Sequence, residues 1–354
     1  MASILVLGGT SWLGGAVAAH ALSLGHDVTC LARGASGEVP DGARWVPADR
    51  SDPAAYEALP THAGWDLVVD VARQPGHVRG AGRALADRTR SWVFVSSCSV
   101  YARHDEPGAD ESAALLPALE AETGTPEQYG EGKVACELAV RGVRGGDALI
   151  ARSGLIVGQG DPSERFGYWP ARFADAAQDG GPVLVPDSPD QPVQWVDVGD
   201  LSAWLVSAGL AGTTGTVNAV GPPRSLREVL DTAARVAGFS GAVVSAHAAA
   251  LARQGVAEFM GPRSLPLWLQ DPEWQAFMDR SSAAATTAGL TTRTLEDSVT
   301  AALAWERQLG TSRPRSRAGL SRADELAVIT ALTAEERAAR RWAPTTPVSI
   351  WRGL

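Results

Sequence analysis

The stretch that most limits how this chain can fold lies at its start: Ile4-Leu5-Val6-Leu7-Gly8-Gly9-Thr10-Ser11-Trp12-Leu13-Gly14-Gly15. Four aliphatic residues in succession leave no polar face, so they read as a strand buried on both sides, as in a parallel sheet. Gly8 and Gly9 then let the backbone turn through dihedrals closed to other residues. From Trp12 the pattern becomes helical, with Leu13, Val17 and Leu22 apolar among alanines. A strand, a glycine turn and a helix N-terminus in that order form an anion site, because backbone N–H groups and the helix dipole converge on the turn. The expected guest is the pyrophosphate of a dinucleotide, and the alternative is a plain turn between a core strand and a core helix. Gly8 and Gly14 hold the outer positions of the usual three-glycine fingerprint. Ser11 occupies the middle one, with a small side chain whose hydroxyl can donate to phosphate.

Further strands follow at regular intervals. Asp27–Ala32 reads as the second, after a helix closed by Gly25. Chains that prefer NAD place an acid near the end of this strand, to hold the ribose 2′-hydroxyl. Here the sequence is Leu31-Ala32-Arg33-Gly34. An arginine there suits a 2′-phosphate, so NADP is favoured and NAD is the alternative, unless Arg33 only points into water. Trp45–Asp49 and Leu67–Val71 read as strands, and Trp92-Val93-Phe94-Val95 runs into Ser96-Ser97-Cys98-Ser99-Val100-Tyr101. With alanine-rich helices between them, these strands predict an α/β fold, a Rossmann-type doubly wound parallel sheet. Ligands of such sheets bind at the carboxyl ends of strands, where the serine cluster lies. The dinucleotide-binding domain is expected over 1–158, completed by 191–221. A smaller, mainly helical C-terminal substrate domain is expected from 159–190 and 222–309, with a tail over 310–354.

Composition excludes several function classes. The chain of 354 residues carries a net charge of −9 and a pI near 5.2, so no basic surface for nucleic acid is expected. No apolar run reaches the ~18–20 residues of a membrane span, and the N-terminus lacks the basic leader of a signal peptide. Cys30, Cys98 and Cys136 are an odd, scattered set, suiting neither a disulfide framework nor zinc spacing. A reducing cytoplasm is the expected location, and no metal site is expected.

Thirty-one residues are Lys or Arg, and a single one of them, Lys133, is lysine. One lysine retained among arginines points to a task for a compact ammonium that a planar guanidinium cannot perform. The acidic stretch 103–124 reads as a loop or lid, after which Thr125-Pro126-Glu127-Gln128 carries helix-start signals. Tyr129 and Lys133 then stand at i and i+4, on one face and about 6 Å apart along the axis. Gly130 and Gly132 between them disfavour helix by roughly 1 kcal/mol each relative to alanine. That makes sense where something approaches this helix closely.

Taken together, Ile4–Gly14, the Ser97 segment, Tyr129-x-x-x-Lys133 and Gln194-Trp195-Val196-Asp197-Val198-Gly199-Asp200-Leu201 resemble the extended short-chain dehydrogenase/reductases. This superfamily includes NAD-dependent epimerases and dehydratases, and the resemblance spans roughly residues 3 to 305. Trp92–Tyr101, Gly154–Gly158 and Gly160-Asp161-Pro162 are similar to bacterial reductase-like members related to chloroplast stem-loop-binding proteins. The resemblance implies that Tyr129 is the general acid/base. A free phenol ionises near ~10, and a neighbouring ammonium favours the phenolate. Lys133 would play that part while also holding the nicotinamide ribose. Ser97 would hydrogen-bond the reacting oxygen, with Ser96 and Ser99 as rivals. Gly8, Ser11 and Gly14 would contact the pyrophosphate, Arg33 the 2′-phosphate, and Asp49 with Arg50 the adenine edge, with Thr10, Trp12, Leu13 and Ala72 also among the cofactor-binding residues.

Departures from the family pattern narrow the reaction. Sugar-nucleotide dehydratases carry Asp-Glu directly after the Ser/Thr, where this chain has Cys98-Ser99, so the acid and base for water loss are missing. Many sugar-nucleotide epimerases place an arginine for the diphosphate where this chain has Val193, although Arg165 or Arg172 is available instead. Cys98, Ser99, Arg165, Tyr168 and Trp169 are the candidate substrate contacts, the last three in an expected shaped loop over 159–190. Asp197 and Asp200 read as helix caps and Asn218 as a structural residue at a strand end. From Pro222 to about Leu309 the pattern is helical, with Leu226, Val229 and Leu230 on one face. The tail from Thr311 is expected to cross a neighbouring subunit of a homodimer or to be loosely held. The expected activity is NADP-dependent interconversion of a carbonyl and an alcohol on a small molecule. The alternatives are an epimerase using the same three residues for a transient oxidation, and a non-catalytic RNA-binding or cofactor-sensing protein.

Overall fold

The apolar runs become the middle of a seven-stranded sheet in a computed structural model that describes residues 1–60 and 64–340. In chain order the first unit forms β1 (Ser3–Leu7), α1 (Trp12–Ser23), β2 (Asp27–Ala32), β3 (Arg44–Pro47), β4 (Trp65–Asp70), α2 (Pro75–Leu85), β5 (Thr89–Ser97), α3 (Tyr129–Arg144), β6 (Ala148–Ser153) and β7 (Gly215–Ala219). The strand order is β7-β6-β5-β4-β1-β2-β3, and every pairing in it is parallel. Alternation along β1 sends Ile4 and Val6 to a core shared with Val17 and Ala21 of α1 and with Leu201 and Leu205 of the helix Val198–Leu210. Leu5 and Leu7 face the other side, against Val78 and Leu85 of α2 and Cys136 and Val140 of α3. Both faces are thus dry, which is why the strands read as unbroken apolar runs. The chain reverses direction of strand order at β1 and β4, and the crevice beyond their carboxyl ends is where such sheets bind ligands.

The described chain divides into two compact units. The first comprises residues 1–156, 194–223 and 276–292; the second comprises 157–193, 224–275 and the chain from 293 onward. Within the first unit Asp197 accepts from Gly199 N and caps the helix Val198–Leu210, as its place in the sequence predicts. Asn218 lies in β7, and its Oδ1 accepts from the Tyr101 hydroxyl at 2.6 Å.

The acidic stretch 103–124 is tied to the first unit at both ends. Ala276 N donates to His104 O, Gly108 N to Asp279 O and Gly76 N to Glu122 O. His104 is buried, packs edge-on against Phe277, and offers Nδ1 to the Arg280 guanidinium at 2.8 Å. Only a neutral ring can accept there. Burial first, and then the Arg280 charge, lower the His104 pKa from 6.5 to about 4. The unfolded chain therefore takes up this proton first as pH falls. Stability from this residue is complete above pH 6.5 and is lost as the pH falls toward 4; the loss is roughly 3 kcal/mol. Denaturant midpoints measured across that window should fall less steeply in His104→Gln, and equal slopes would contradict the assignment.

In the second unit the structure differs from two expectations. The segment expected as a shaped loop contains a fifteen-residue helix, Arg165–Asp179, with Gly167 and Pro170 inside it. Proline in a helix disfavours it by ~3 kcal/mol, so tertiary packing decides the outcome here. Phe166, Tyr168, Trp169 and Phe173 are all buried by neighbours that include the helices Leu226–Ala237 and Leu295–Leu309. The tail is not loose over its described part: Ala318–Gly319 pairs with Gly261–Pro262, and a helix spans Arg322–Arg340. Glu325 on that helix is completely buried, accepts from Leu184 N at 2.9 Å and from Arg322 at 2.6 Å, and pairs with Arg172 at 3.2 Å. Residues 341–354 of the tail lie outside the described residues.

Candidate active site

The turn between β1 and α1 has no room for side chains at Gly8 or Gly14. Gly8 has φ +100°, and a Cβ there would lie 2.7 Å from Val71 Cγ2. A Cβ on Gly14 would stand 2.2 Å from Gly8 O. Ser11 is the N-cap of α1, and its hydroxyl donates to Gly8 O at 2.7 Å and accepts from Gly14 N at 3.2 Å. Its side chain therefore fixes the turn from within, while Thr10 is buried and Trp12 and Leu13 open the helix half-buried. A backbone cradle of this kind, with glycine at the two tight positions Gly8 and Gly14 and closed by a helix N-terminus, fits a dinucleotide pyrophosphate.

At the end of β2, Arg33 is exposed and stands 3.6 Å from the Asp49 carboxylate, itself half exposed. Hydrogen bonds from Ser51 chiefly, with Arg33 adding to them, hold the Asp49 carboxyl below its ordinary range. Trp45 Nε1 donates to Ala32 O at 3.0 Å, and its ring lies where a side chain on Gly34 would be. Arg50, one residue on, is buried. It grips Asp70 through two bonds of 2.8 Å and also donates to Tyr56 and His77 O, so four of its five N–H donors are used within the protein.

Tyr129 opens α3, half-buried, and Lys133 follows one turn later, buried. The four residues read as a capping signal, 125–128, form a turn ahead of the helix, in which Thr125 N donates to the Gln128 side chain at 3.2 Å. The Lys133 ammonium donates to Ala72 O and to Val95 O, each at 2.7 Å, and lies 5.9 Å from the Tyr129 ring centroid and 4.8 Å from that of Phe94. It therefore sits between the carboxyl ends of β4 and β5, bonded to the residue next to the Val71 that closes on Gly8. A Cβ on Gly130 would lie 2.4 Å from Ser99 O, so the helix N-terminus rests directly on the turn after β5. This is the close approach that a glycine between Tyr129 and Lys133 predicts.

That turn sorts the serines by role. Ser97 caps a short 3-10 turn, accepting from Ser99 N at 3.1 Å and donating to the Ser99 hydroxyl at 3.1 Å. Ser96 points the other way and donates to Glu137 at 2.6 Å in the interior. Glu137 in turn takes two bonds from Arg152, at 2.9 and 2.8 Å, and Arg152 also donates to the Tyr101 hydroxyl. Cys98 is buried, and burial pushes its thiol up to about 12, so it is no nucleophile at neutral pH. In the second unit Tyr168 and Trp169 are fully buried; Trp169 donates to Pro266 O at 2.9 Å, and Arg165 stacks on Phe259. Two further features join the site only in the fold: Arg73, whose guanidinium lies over the Tyr129 ring, and the buried Glu137–Arg152 pair. Neither belongs to a motif, and pairing across elements leaves no local signal.

A parallel sheet, a glycine turn at β1 and a helix carrying Tyr129 and Lys133 beside it define a Rossmann-fold protein of the short-chain dehydrogenase/reductase type. The chain belongs to the NAD dependent epimerase/dehydratase family, whose model matches residues 4–86 and 81–219. No curated protein matches its sequence. Among solved structures it is similar to a protein of Burkholderia cenocepacia J2315 assigned as an epimerase, with TM-score 0.67 and 21% identity over 87% of this chain and 98% of that one. It is similar also to the UDP-glucuronic acid 4-epimerase of Bacillus cereus in complex with NAD, with TM-score 0.59 and 16% identity over 87% and 99% of the two chains. A third, the UDP-N-acetylglucosamine 4-epimerase of Bacillus cereus, has TM-score 0.60 and 18% identity over 87% and 100%. Identities this low establish the shared fold alone. Among the described residues no helix is long and apolar enough to cross a membrane.

Proposed function

We propose that the chain is an NAD(P)-dependent epimerase that transiently oxidises a secondary alcohol of a small molecule and reduces it again in the opposite configuration. The observation that carries this reading is the Lys133 ammonium, pinned by Ala72 O and Val95 O within 5.9 Å of the Tyr129 ring. Family membership supports it, as do the UDP-sugar 4-epimerases of the same fold. A bound nicotinamide supplies hydride acceptance and return. Tyr129 takes the hydroxyl proton as the carbonyl forms and gives it back on reduction. Lys133 spends two of its three N–H donors on the backbone, so it holds its charge beside the phenol with one donor left for a ribose hydroxyl. Ser97 turns its hydroxyl from Ser99 to the reacting oxygen. The turn Gly8–Gly14 holds the pyrophosphate, with Ala72 beside the nicotinamide end and Asp49 on the adenine side. Arg33 favours a 2′-phosphate, whereas the Bacillus cereus UDP-glucuronic acid enzyme was solved with NAD, so both dinucleotides belong in the test.

A second reading, net reduction of a carbonyl, is favoured by Val193. It is buried and pairs with Arg224 where many sugar-nucleotide epimerases carry a diphosphate-binding arginine. The two readings separate in one assay. With UDP-glucuronic acid or UDP-N-acetylglucosamine and a catalytic amount of dinucleotide, an epimerase yields the 4-epimer by proton NMR with no net change in nicotinamide absorbance. Stoichiometric bleaching of NADPH by a carbonyl compound, without an epimer, would select the reductase instead.

A further inference from the structure

Arg73 lies three residues beyond the end of β4 and is exposed, yet its guanidinium carbon stands 5.2 Å from the Tyr129 ring centroid. Among the described residues no hydrogen bond or ion pair engages its side chain. Nearby arginines are spoken for: Arg79 pairs with Glu122 and Arg50 with Asp70, each at 2.8 Å. The loop carrying Arg73 is itself fixed, because Lys133 holds Ala72 O on one side and Gln74 exchanges hydrogen bonds with Gly124 on the other. The Tyr129 ring thus contacts two cations of different character. Lys133, from α3, is buried and anchored to the backbone; Arg73, from the loop after β4, is solvated and uncommitted. The turn after β5 brings Ser97, Cys98 and Ser99; of the acids in the adjoining segments, Glu131 lies in the first turn of α3, Glu122 pairs with Arg79, and Glu127 ahead of α3 bonds the Thr125 hydroxyl.

We propose that Arg73 is a positioning residue of this site: its guanidinium holds the Tyr129 ring and stabilises the phenolate together with Lys133. A cation above an aromatic face is attracted to the ring, and more strongly to a phenolate than to a phenol. The proposal rests on Tyr129 being the acid/base group, but its test requires neither substrate nor dinucleotide.

The chain has four tyrosines, and three of them, Tyr56, Tyr101 and Tyr168, are buried. Burial raises all three phenols, Tyr101 and Tyr168 to about 12. In a pH-jump absorbance titration of the full chain, the tyrosinate step that disappears in Tyr129→Phe is the one assigned to Tyr129. Arg73→Gln should move the step upward by about half a pH unit, the size expected for one solvated charge at this range. Arg73→Lys should restore most of the shift, and high salt should shrink it, because the guanidinium is exposed. A Tyr129 step at the same pH in Arg73→Gln and the parent would overturn the proposal, and so would a shift that high salt leaves intact. Failure of the epimerase assay with a shifted Tyr129 step would instead count against the proposed reaction alone.

Discussion

Tyr129→Phe is expected to lower turnover of the converted substrate by roughly 10²–10⁴-fold, the range that general acid–base groups contribute. Dinucleotide affinity should stay nearly unchanged, since phenylalanine fills the same place at the start of α3 and leaves Lys133 bonded to Ala72 O and Val95 O. The lost group is the hydroxyl that would exchange a proton with the substrate oxygen, so the effect belongs in kcat. Turnover within a few-fold of the parent, with fluorescence showing the nucleotide still bound, would remove Tyr129 from the mechanism. Weakened nucleotide binding with kcat intact would point to the ring as part of the cofactor pocket.

Glu137→Gln is expected to produce the largest loss of stability, about 3–5 kcal/mol, because it leaves Arg152 buried without a countercharge. Both side chains are only 2% exposed, and their two hydrogen bonds join α3 to β6. The substitution also disturbs the Ser96 hydroxyl, which donates to the same carboxylate. Denaturant unfolding should show it as a lower midpoint at unchanged slope. The double variant Glu137→Leu, Arg152→Met should recover much of the loss, because an apolar pair leaves neither charge stranded. A loss below about 1 kcal/mol in the single variant would mean that Arg152 finds another partner or water.

Much of the first unit was legible because burial on both faces writes itself into sequence. Ile4–Leu7, Leu67–Val69 and Trp92–Val95 carry no polar residue, and all three lie in the parallel sheet. Gly130 was legible for a related reason, a poor helix former tolerated where Ser99 O leaves no space. The second unit was harder to read. Several of its strands are only two to four residues long, too short for an alternation to show, and the helix Arg165–Asp179 contains residues that argue against helix. Arg50 shows a different limit. Its partner Asp70 lies twenty residues away, at the end of β4, which the strand order separates from β3 by β1 and β2, and no local pattern announces that meeting. The same holds for Arg73 and Tyr129, which meet only because β4 and α3 are neighbours through Lys133.

The burial of Lys133 has a practical consequence for handling the protein. Its one side-chain amine is 3% exposed and already bonded to two carbonyls, so amine-directed dyes, cross-linkers and reductive methylation should find only the N-terminus of the folded chain. Slow labelling at Lys133 would then count openings of α3 away from the sheet, giving a clock for local unfolding at the place where the chemistry is proposed to occur.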